Sequence, residues 1–460
     1  MKFNNLVILS IIFLLAATSL SGCVSFRKKL SWANAALNEP NVNSQTLLKK
    51  RAQKFNNFHA AKQNHIFLSK KFQRKLDEST NSTLSAGNSL ALLPNKKGHT
   101  EKIKLIKKAE KSIYMATLQI VCDKGGEEFT ENIIKASKRG VDIRIVLDGG
   151  FWGSFGQKCL NKMKEHGVKI KKTPYEYWPW STSWQLHDKI FITDAKYAIT
   201  GGQNIGSWWS ESNGLDDNFK DTDVYAEGPV VLQMALRFFN IWMSLVPKDK
   251  DFKKYLTVIN KKRNFFKQKK LVGEKNYKKW LKQKNPKGLC RFVAQDPHLN
   301  TFYVFDAYTL LTTHSKGRIV FHVPSLNALG SKKQEKFRKA LIEHTKKQNG
   351  RVDIITNGPG LLKSRIVPWP AGNIYGFFTL NRVYDSIKGT ELNTWAYHHW
   401  LHSKVYYFDA LVSSIGSFNF DDSGLSWTES TLICIDPKLI KEVQALLKSD
   451  FAHSKKLKNT

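Results

Sequence analysis

A chain of 460 residues, 41% hydrophobic and with 13 Trp, can fill two cores of ordinary size, which excludes global disorder. Lys and Arg number 73 against 38 Asp and Glu, a formal net charge of +35, and a field of that sign draws polyanions: anionic membrane surfaces, nucleic acid or phosphorylated substrates. Charge alone names none of them, because a Lys-rich solvated surface has the same balance.

Lys2 and the mainly apolar run Leu6 to Ala17 form a leader too short for a comfortable membrane span. Leu20-Ser21-Gly22-Cys23 follows and resembles a bacterial lipobox. The resemblance implies that residues 1–22 are a signal peptide, that Cys23 is lipidated, and that the mature chain hangs in the cell envelope. Val24 after Cys23 favours the periplasmic side of the outer membrane. The competing readings are an uncleaved N-terminal helix, or an ordinary cleaved signal with a stray cysteine. Export permits disulfides among Cys122, Cys159, Cys290 and Cys434, for which three pairings are open. None of them forms a C-x-x-C pair, so a zinc site is not expected.

Residues 23–91 read as a basic tether, rich in Lys, Asn, Gln and Ser, with a sparse amphipathic helix over Leu47 to Lys75. An α/β pattern then begins. Helices are predicted over Lys102–Lys111 and Phe129–Lys138, with strands at Ile113–Val121 and, after Arg139-Gly140, at Val141–Leu147. Further strands fit Val168–Lys171, Ile190–Thr193 and Tyr197–Thr200, and a helix at Val230–Ser244 closes a first lobe, 92–246. A basic linker, 247–285, leads to a second lobe, 286–460. Its predicted helices are Phe302–Leu311, Lys332–Lys347, Gly376–Ile387 and Pro437–Phe451. Its strands are Gly317–Val323, Val352–Thr356, Leu392–Tyr397, Val405–Phe408 and Leu411–Ile415. The similar order of the two lobes suggests duplication.

Two copies of one motif make the duplication quantitative. His187-Asp188-Lys189 and His402-Ser403-Lys404 each open an H-x-K-x-x-x-x-D string ending in Asp194 and Asp409. Each string is followed by a small-residue turn, Gly201-Gly202-Gln203-Asn204 or Gly416-Ser417-Phe418-Asn419, whose Asn lies 17 residues after the histidine. A lone His on a strand is more often a packing residue than a catalyst, but two copies with the same turn at the same offset are not accidental. His and Lys two apart on an extended segment share a face. Two such lobes set face to face would gather His187, Lys189, Asn204, His402, Lys404 and Asn419 around one phosphate-sized space. Lysines and amides would meet the non-bridging oxygens while one imidazole attacks phosphorus and the other protonates the leaving oxygen. No metal or other cofactor is demanded. Asp194 and Asp409, beyond the strands, read as structural.

These motifs resemble the phospholipase D superfamily from about residue 92 to the C-terminus, and are most similar to bacterial cardiolipin synthases. Arg139-Gly140-Val141, Gly201-Gly202-Gln203-Asn204-Ile205-Gly206, Asp221-Thr222-Asp223-Val224 and Ile415-Gly416-Ser417-Phe418-Asn419 support that likeness. The resemblance implies two α/β/α sandwich lobes with mixed sheets in a pseudo-twofold arrangement, with the site between them, and a phosphohistidine intermediate. By the usual assignment His187 is the nucleophile and His402 the acid. It also implies a carboxylate downstream of each motif that orients the imidazole: Glu429 in the second half, and Asp223 or Asp221 in the first. Asp421-Asp422-Ser423-Gly424 and Ser426-Trp427-Thr428-Glu429 depart from the family pattern and leave acceptor choice open. Aromatics around the first motif, Tyr175 to Trp180, Trp184, Trp208 and Trp209, suit a bilayer interface, stacked bases or plain packing. The expected partner is a phospholipid membrane rich in anionic lipid, with nucleic acid as the alternative and no obligate protein partner. A catalytically idle membrane-binding scaffold is the remaining reading, and two complete motifs argue against it.

Overall fold

The computed structural model describes residues 65–150, 156–174, 185–212, 219–250, 252, 288–327, 331–357, 390–397 and 400–457. Cys23, the aromatic run 175–184, the helix expected over Gly376–Ile387 and most of the 247–285 linker lie outside them.

The described chain begins with α1 (Lys70–Thr80) and β1 (Ser85–Pro94). The first half continues through α2 (Lys96–Lys108), β2 (Ser112–Thr117), α3 (Lys124–Lys138), β3 (Asp142–Leu147), α4 (Gln157–Glu165), β4 (Lys169–Lys172), β5 (Ile190–Thr193), β6 (Tyr197–Gly201), α5 (Ser207–Ser210), β7 (Thr222–Glu227) and α6 (Val230–Leu245). The second half has β8 (Gly288–Gln295), α7 (Tyr303–His314), β9 (Arg318–His322), α8 (Lys332–Thr345), β10 (Arg351–Asn357), β11 (Asn393–Tyr397), β12 (Val405–Phe408), β13 (Val412–Gly416), β14 (Glu429–Ile435), α9 (Pro437–Ala452) and β15 (Ser454–Leu457).

All strands join one 15-stranded mixed sheet in the order β15-β11-β10-β9-β12-β13-β14-β8-β1-β7-β6-β5-β2-β3-β4. Read outward from the central β8–β1 seam, the two halves repeat one order, β8-14-13-12-9-10-11 against β1-7-6-5-2-3-4. This is the duplication stated as topology, with the pseudo-twofold at the seam. There β1 and β8 pair antiparallel with a register shift between Ser85 and Asn88, so the halves are hinged by an irregular ladder rather than separate. Asn88 closes the irregularity by donating to Gly288 O at 3.0 Å and accepting from Val230 N at 2.9 Å.

Alternation along the strands sends side chains to two layers. In β3, Ile143, Ile145 and Leu147 meet α2 and α3, while Val146 faces the opposite layer. That second layer is common to both halves: Phe238 and Trp242 of α6 and Val443 and Leu447 of α9 share one apolar cluster. α3 begins at Asp123, whose carboxylate accepts from Gly126 N at 3.0 Å, and ends at Gly140, whose φ of 87° is the left-handed turn that glycine permits. Arg139 beside it donates to Ile106 O at 2.8 Å, tying the end of α2 to the end of α3.

The tether reading fails from residue 65 onward. Ser69 caps α1 through Phe72 N, splitting the expected continuous helix, and Phe67, Phe72 and Leu76 are buried with Val304, Tyr308 and Leu311 of the second half. The expected lobe boundary at 91/92 falls inside β1, which lies at the centre of the sheet. The start of the linker is docked as well: Asp249 accepts from Arg144 and from Trp242 Nε1, and Phe252 packs on Tyr114 and Phe239.

The cysteines pair as Cys122–Cys159, which joins the approach to α3 to α4, and Cys290–Cys434, which are opposed in the β8–β14 register. With sequence separations of 37 and 144 residues, loop entropy makes each bond worth about 4–5 kcal/mol. Dithiothreitol is therefore expected to lower the calorimetric melting temperature by about 5–10 °C.

Candidate functional site

β5 and β6 run antiparallel with Ile190 opposite Thr200, so the His187–Lys189 entry and the Gly201–Asn204 exit lie at one end of the sheet. β12 and β13 repeat this with Val405 opposite Ile415, bringing His402–Lys404 beside Gly416–Asn419. Each lysine donates back to the carbonyl of its own histidine, Lys189 at 2.9 Å and Lys404 at 2.6 Å. Asn204 accepts from Thr117 Oγ at 3.0 Å, and Asn419 donates to Ser423 Oγ at 3.2 Å.

The two histidines are held from across the seam. His187 N donates to Thr428 O at 3.2 Å, and Thr428 N donates to Gln185 O at 2.9 Å. The counterpart is identical in kind: His402 N donates to Lys220 O at 2.7 Å and Lys220 N to Trp400 O at 2.8 Å. The next residue of each gripping segment supplies a carboxylate. His187 Nδ1 lies 2.8 Å from Glu429 Oε1, and His402 Nδ1 lies 2.8 Å from Asp221 Oδ2. Each carboxylate therefore serves the imidazole of the other half, not of its own. The carboxylate on His402 is Asp221 rather than Asp223, which instead binds Lys102 Nζ at 2.5 Å and accepts from Gln203 N. The two aspartates are two residues apart, Asp223 inside β7 and Asp221 just before it. Only Asp221 lies beyond the last β1–β7 pair, on the segment that reaches the second half.

Glu429 also accepts from Ser417 Oγ, and Asp221 from Trp209 Nε1 at 2.9 Å and Thr222 N at 2.8 Å. At the position equivalent to Ser417 stands Gly202, because a Cβ there would collide with the Asp221 carboxylate. Asp188, inside the first motif, is clamped by Arg237 through bonds of 3.2 and 2.8 Å, and Arg237 continues to Asp296 at 2.5 Å. Its counterpart Ser403 meets Thr222 Oγ at 2.9 Å. Asp194 and Asp409 lie away from the imidazoles. Asp194 accepts from the backbone of Glu110, Lys111 and Ser112 at 2.8–3.1 Å; Asp409 accepts from Lys316 N and Gly317 N at 2.8 and 2.7 Å and meets His65 Nε2 at 2.7 Å.

Burial and a shared field govern protonation. His187 is 2% exposed; burial, then the charges of Lys189 and Lys404, push its imidazole well below the ordinary value. Burial and Lys404 bring His402 down to about 4. The site without substrate thus holds neutral imidazoles whose Nδ1–H faces a carboxylate, leaving Nε2 as a lone-pair nitrogen. Burial and mutual repulsion bring Lys189 down to about 7, and burial brings Lys404 to about 8. Two ammonium groups that feel each other's charge are stabilised by an anion between them. Because both lysine values are depressed, the pair is fully charged only below about pH 6 and loses its charge as pH rises through 7 and 8. For any diester substrate, kcat/KM, which reports the free enzyme, is therefore expected to fall above about pH 7, as Lys189 and then Lys404 lose their charge.

Sequence reasoning missed Ser417, the Asp188–Arg237 link and the crossing itself. The one signal that could have exposed the crossing is the parallel between Phe219-Lys220-Asp221 and Trp427-Thr428-Glu429, an aromatic two residues before each carboxylate.

The family profile described as "Cardiolipin synthase, PLD-like domain" matches residues 103–242 and 310–451, one match in each half. An uncharacterized protein of Helicobacter pylori is 27% identical over 398 residues, covering 75% of this chain and 76% of its own length. A cardiolipin synthase of Clostridium perfringens is 29% identical over 160 residues, which span 34% of this chain but only 33% of that protein. Among solved structures, the phosphatidylserine synthase of Haemophilus influenzae superposes with a TM-score of 0.58 at 14% identity, over 84% of this chain and 92% of that one, a likeness of fold. With two family matches laid over two crossed histidine sites, the chain belongs to the phospholipase D superfamily, in its cardiolipin synthase-like branch.

Proposed function

We propose that this protein is a lipid-anchored phosphatidyltransferase or phospholipase D that acts on the phospholipids of the membrane holding it, through a phosphohistidine. The observation that carries the chemistry is the reciprocal grip on His187 and His402, each imidazole held at Nδ1 by a carboxylate of the opposite half. Nε2 of one histidine attacks phosphorus as the bond to the leaving alcohol breaks, and the other histidine gives that alcohol its proton. An acceptor hydroxyl or water, deprotonated by the second histidine, then attacks phosphorus and breaks the P–N bond. Lys189 and Lys404 balance the charge on the non-bridging oxygens, and the incoming phosphate anion raises the depressed imidazoles so that one can carry the proton.

The phospholipid part of the reading is supported by the family description and by the cardiolipin synthase relative. Half-buried indoles of Trp208, Trp400 and Trp427 near the histidines suit a headgroup layer. Lipidation at Cys23 would anchor the body in the envelope, on the periplasmic side of the outer membrane, and two disulfides suit such an oxidising compartment.

The test is incubation of the purified protein with labelled phosphatidylglycerol and phosphatidylethanolamine vesicles and with single-stranded DNA, each with and without glycerol. Consumption of phospholipid is expected, with headgroup exchange where glycerol or another lipid hydroxyl is present. The +35 charge favours nucleic acid as the second reading, and consumption of DNA alone would establish it in place of the first.

A further inference from the structure

Each imidazole packs against an aromatic ring as well as a carboxylate, and both contacts come from the opposite half. The Trp427 ring lies 5.1 Å from the His187 ring, tilted by 59°, and the Phe219 ring lies 4.9 Å from the His402 ring, tilted by 35°. These aromatics begin the two strings Phe219-Lys220-Asp221 and Trp427-Thr428-Glu429. The middle residue of each string grips the histidine backbone and the last binds Nδ1. Three successive residues thus engage one histidine at its ring, its main chain and its Nδ1.

A single hydrogen bond at Nδ1 leaves the imidazole plane underdetermined, because χ2 of histidine is a broad torsion and the ring can swing about that bond. An aromatic ring packed against the imidazole restricts this freedom and keeps water from the imidazole–carboxylate bond. We propose that Phe219 and Trp427 are positioning residues, each acting with the carboxylate two residues later as one clamp that aims Nε2 of the opposite half's histidine at the phosphate.

The two clamps are braced differently. Phe219 is 3% exposed and sits among Trp208, Trp209 and Trp400 at centroid distances of 6.0, 5.3 and 5.4 Å. Trp209 also donates to Asp221, so ring and carboxylate on the His402 side are locked to each other. Trp427 is half-buried, and its carboxylate is braced separately by Ser417. The charged groups facing His187 are Glu429, Lys189, Lys404 and His402; those facing His402 are Asp221, Lys404 and Lys189. None of them is altered by changing the aromatics. Removing either ring admits water to a buried imidazole and raises its pKa towards the ordinary value.

The experiment uses the full-length protein with bis(4-nitrophenyl) phosphate, so its outcome does not depend on lipid being the natural substrate. For Trp427→Ala, kcat should fall about 10- to 100-fold with little change in KM, the cost of misaiming a reacting atom. The limb of the pH profile set by His187 should move up by about one unit. Trp427→Phe, which keeps a ring beside the imidazole, should recover most of both. Phe219→Ala should do the same to the limb set by His402; Phe219→Leu keeps the apolar bulk without a ring plane and replaces it if the Ala protein does not fold. Imidazole nitrogen NMR, assigned with His187→Ala and His402→Ala, reads the same effect without turnover. Only the histidine facing the altered ring should lose its single Nδ1–H tautomer and titrate higher. A raised KM with unmoved pH limbs would make these rings substrate contacts and overturn the proposal. So would a Trp427→Phe protein as impaired as Trp427→Ala, or resonances of both histidines shifting together.

Discussion

His187→Ala is expected to lower kcat by about 10⁴-fold or more on any diester substrate, and His402→Ala by a similar factor when the leaving group is an alkoxide. Both side chains are largely enclosed, and among the described residues no other imidazole acts on the lysine pair to take over attack or protonation. Because the two histidines act in sequence on one phosphate, the double variant should be hardly worse than either single one. A nitrophenolate leaving group needs no proton and separates the roles. If His187 is the nucleophile, His402→Ala keeps a burst of nitrophenol and accumulates phosphoenzyme, whereas His187→Ala gives no burst. The reverse pattern would exchange the assignment, and full turnover by either variant would rule out two-histidine chemistry here.

Asp221→Asn and Glu429→Gln should each cost about 10⁴-fold in kcat, the scale seen when an imidazole loses the carboxylate that sets its tautomer. The informative part is the pairing. Asp221 should be strongly non-additive with His402, and Glu429 with His187, while Asp221 with Glu429 should come closer to additive. A coupling of each carboxylate to the histidine of its own half would contradict the crossed geometry. Glu429→Gln should also lower stability, since the carboxylate is fully buried between His187 and Ser417 and an amide cannot accept from both through equivalent oxygens.

The legible part of this molecule was its local part. β3, β5 and β12 are short apolar runs beside turn residues, and the H-x-K strings with their 17-residue offset needed no structure to be found. β1, with the sequence Ser-Ala-Gly-Asn-Ser-Leu-Ala-Leu-Leu-Pro, was not legible. Its small polar residues sit at a seam where Asn88 satisfies backbone groups, so it lacks the apolar run expected of a central strand. α1 was hidden because an amphipathic helix that buries mainly Phe72 and Leu76 looks like a basic tether until its partner helix is known. The choice between Asp221 and Asp223 could not be made locally either. Both share a face, and only the pairing of Lys220 with Leu401 across the seam decides which carboxylate meets His402.

The crossing also has a consequence in time. His187 precedes its carboxylate by 242 residues, and His402 follows its own by 181. A chain emerging N-terminus first can complete most of the first half and still own only an untethered His187. Its carboxylate comes with β14, next to last of the strands, and the seam must already be closed for the two to meet. Contacts this distant in sequence are slow to form. Competence is therefore the last property the polypeptide acquires, and a product truncated before Glu429 has both motifs yet stays inert. An enzyme able to cut phosphodiesters is in this way kept harmless until it is fully made.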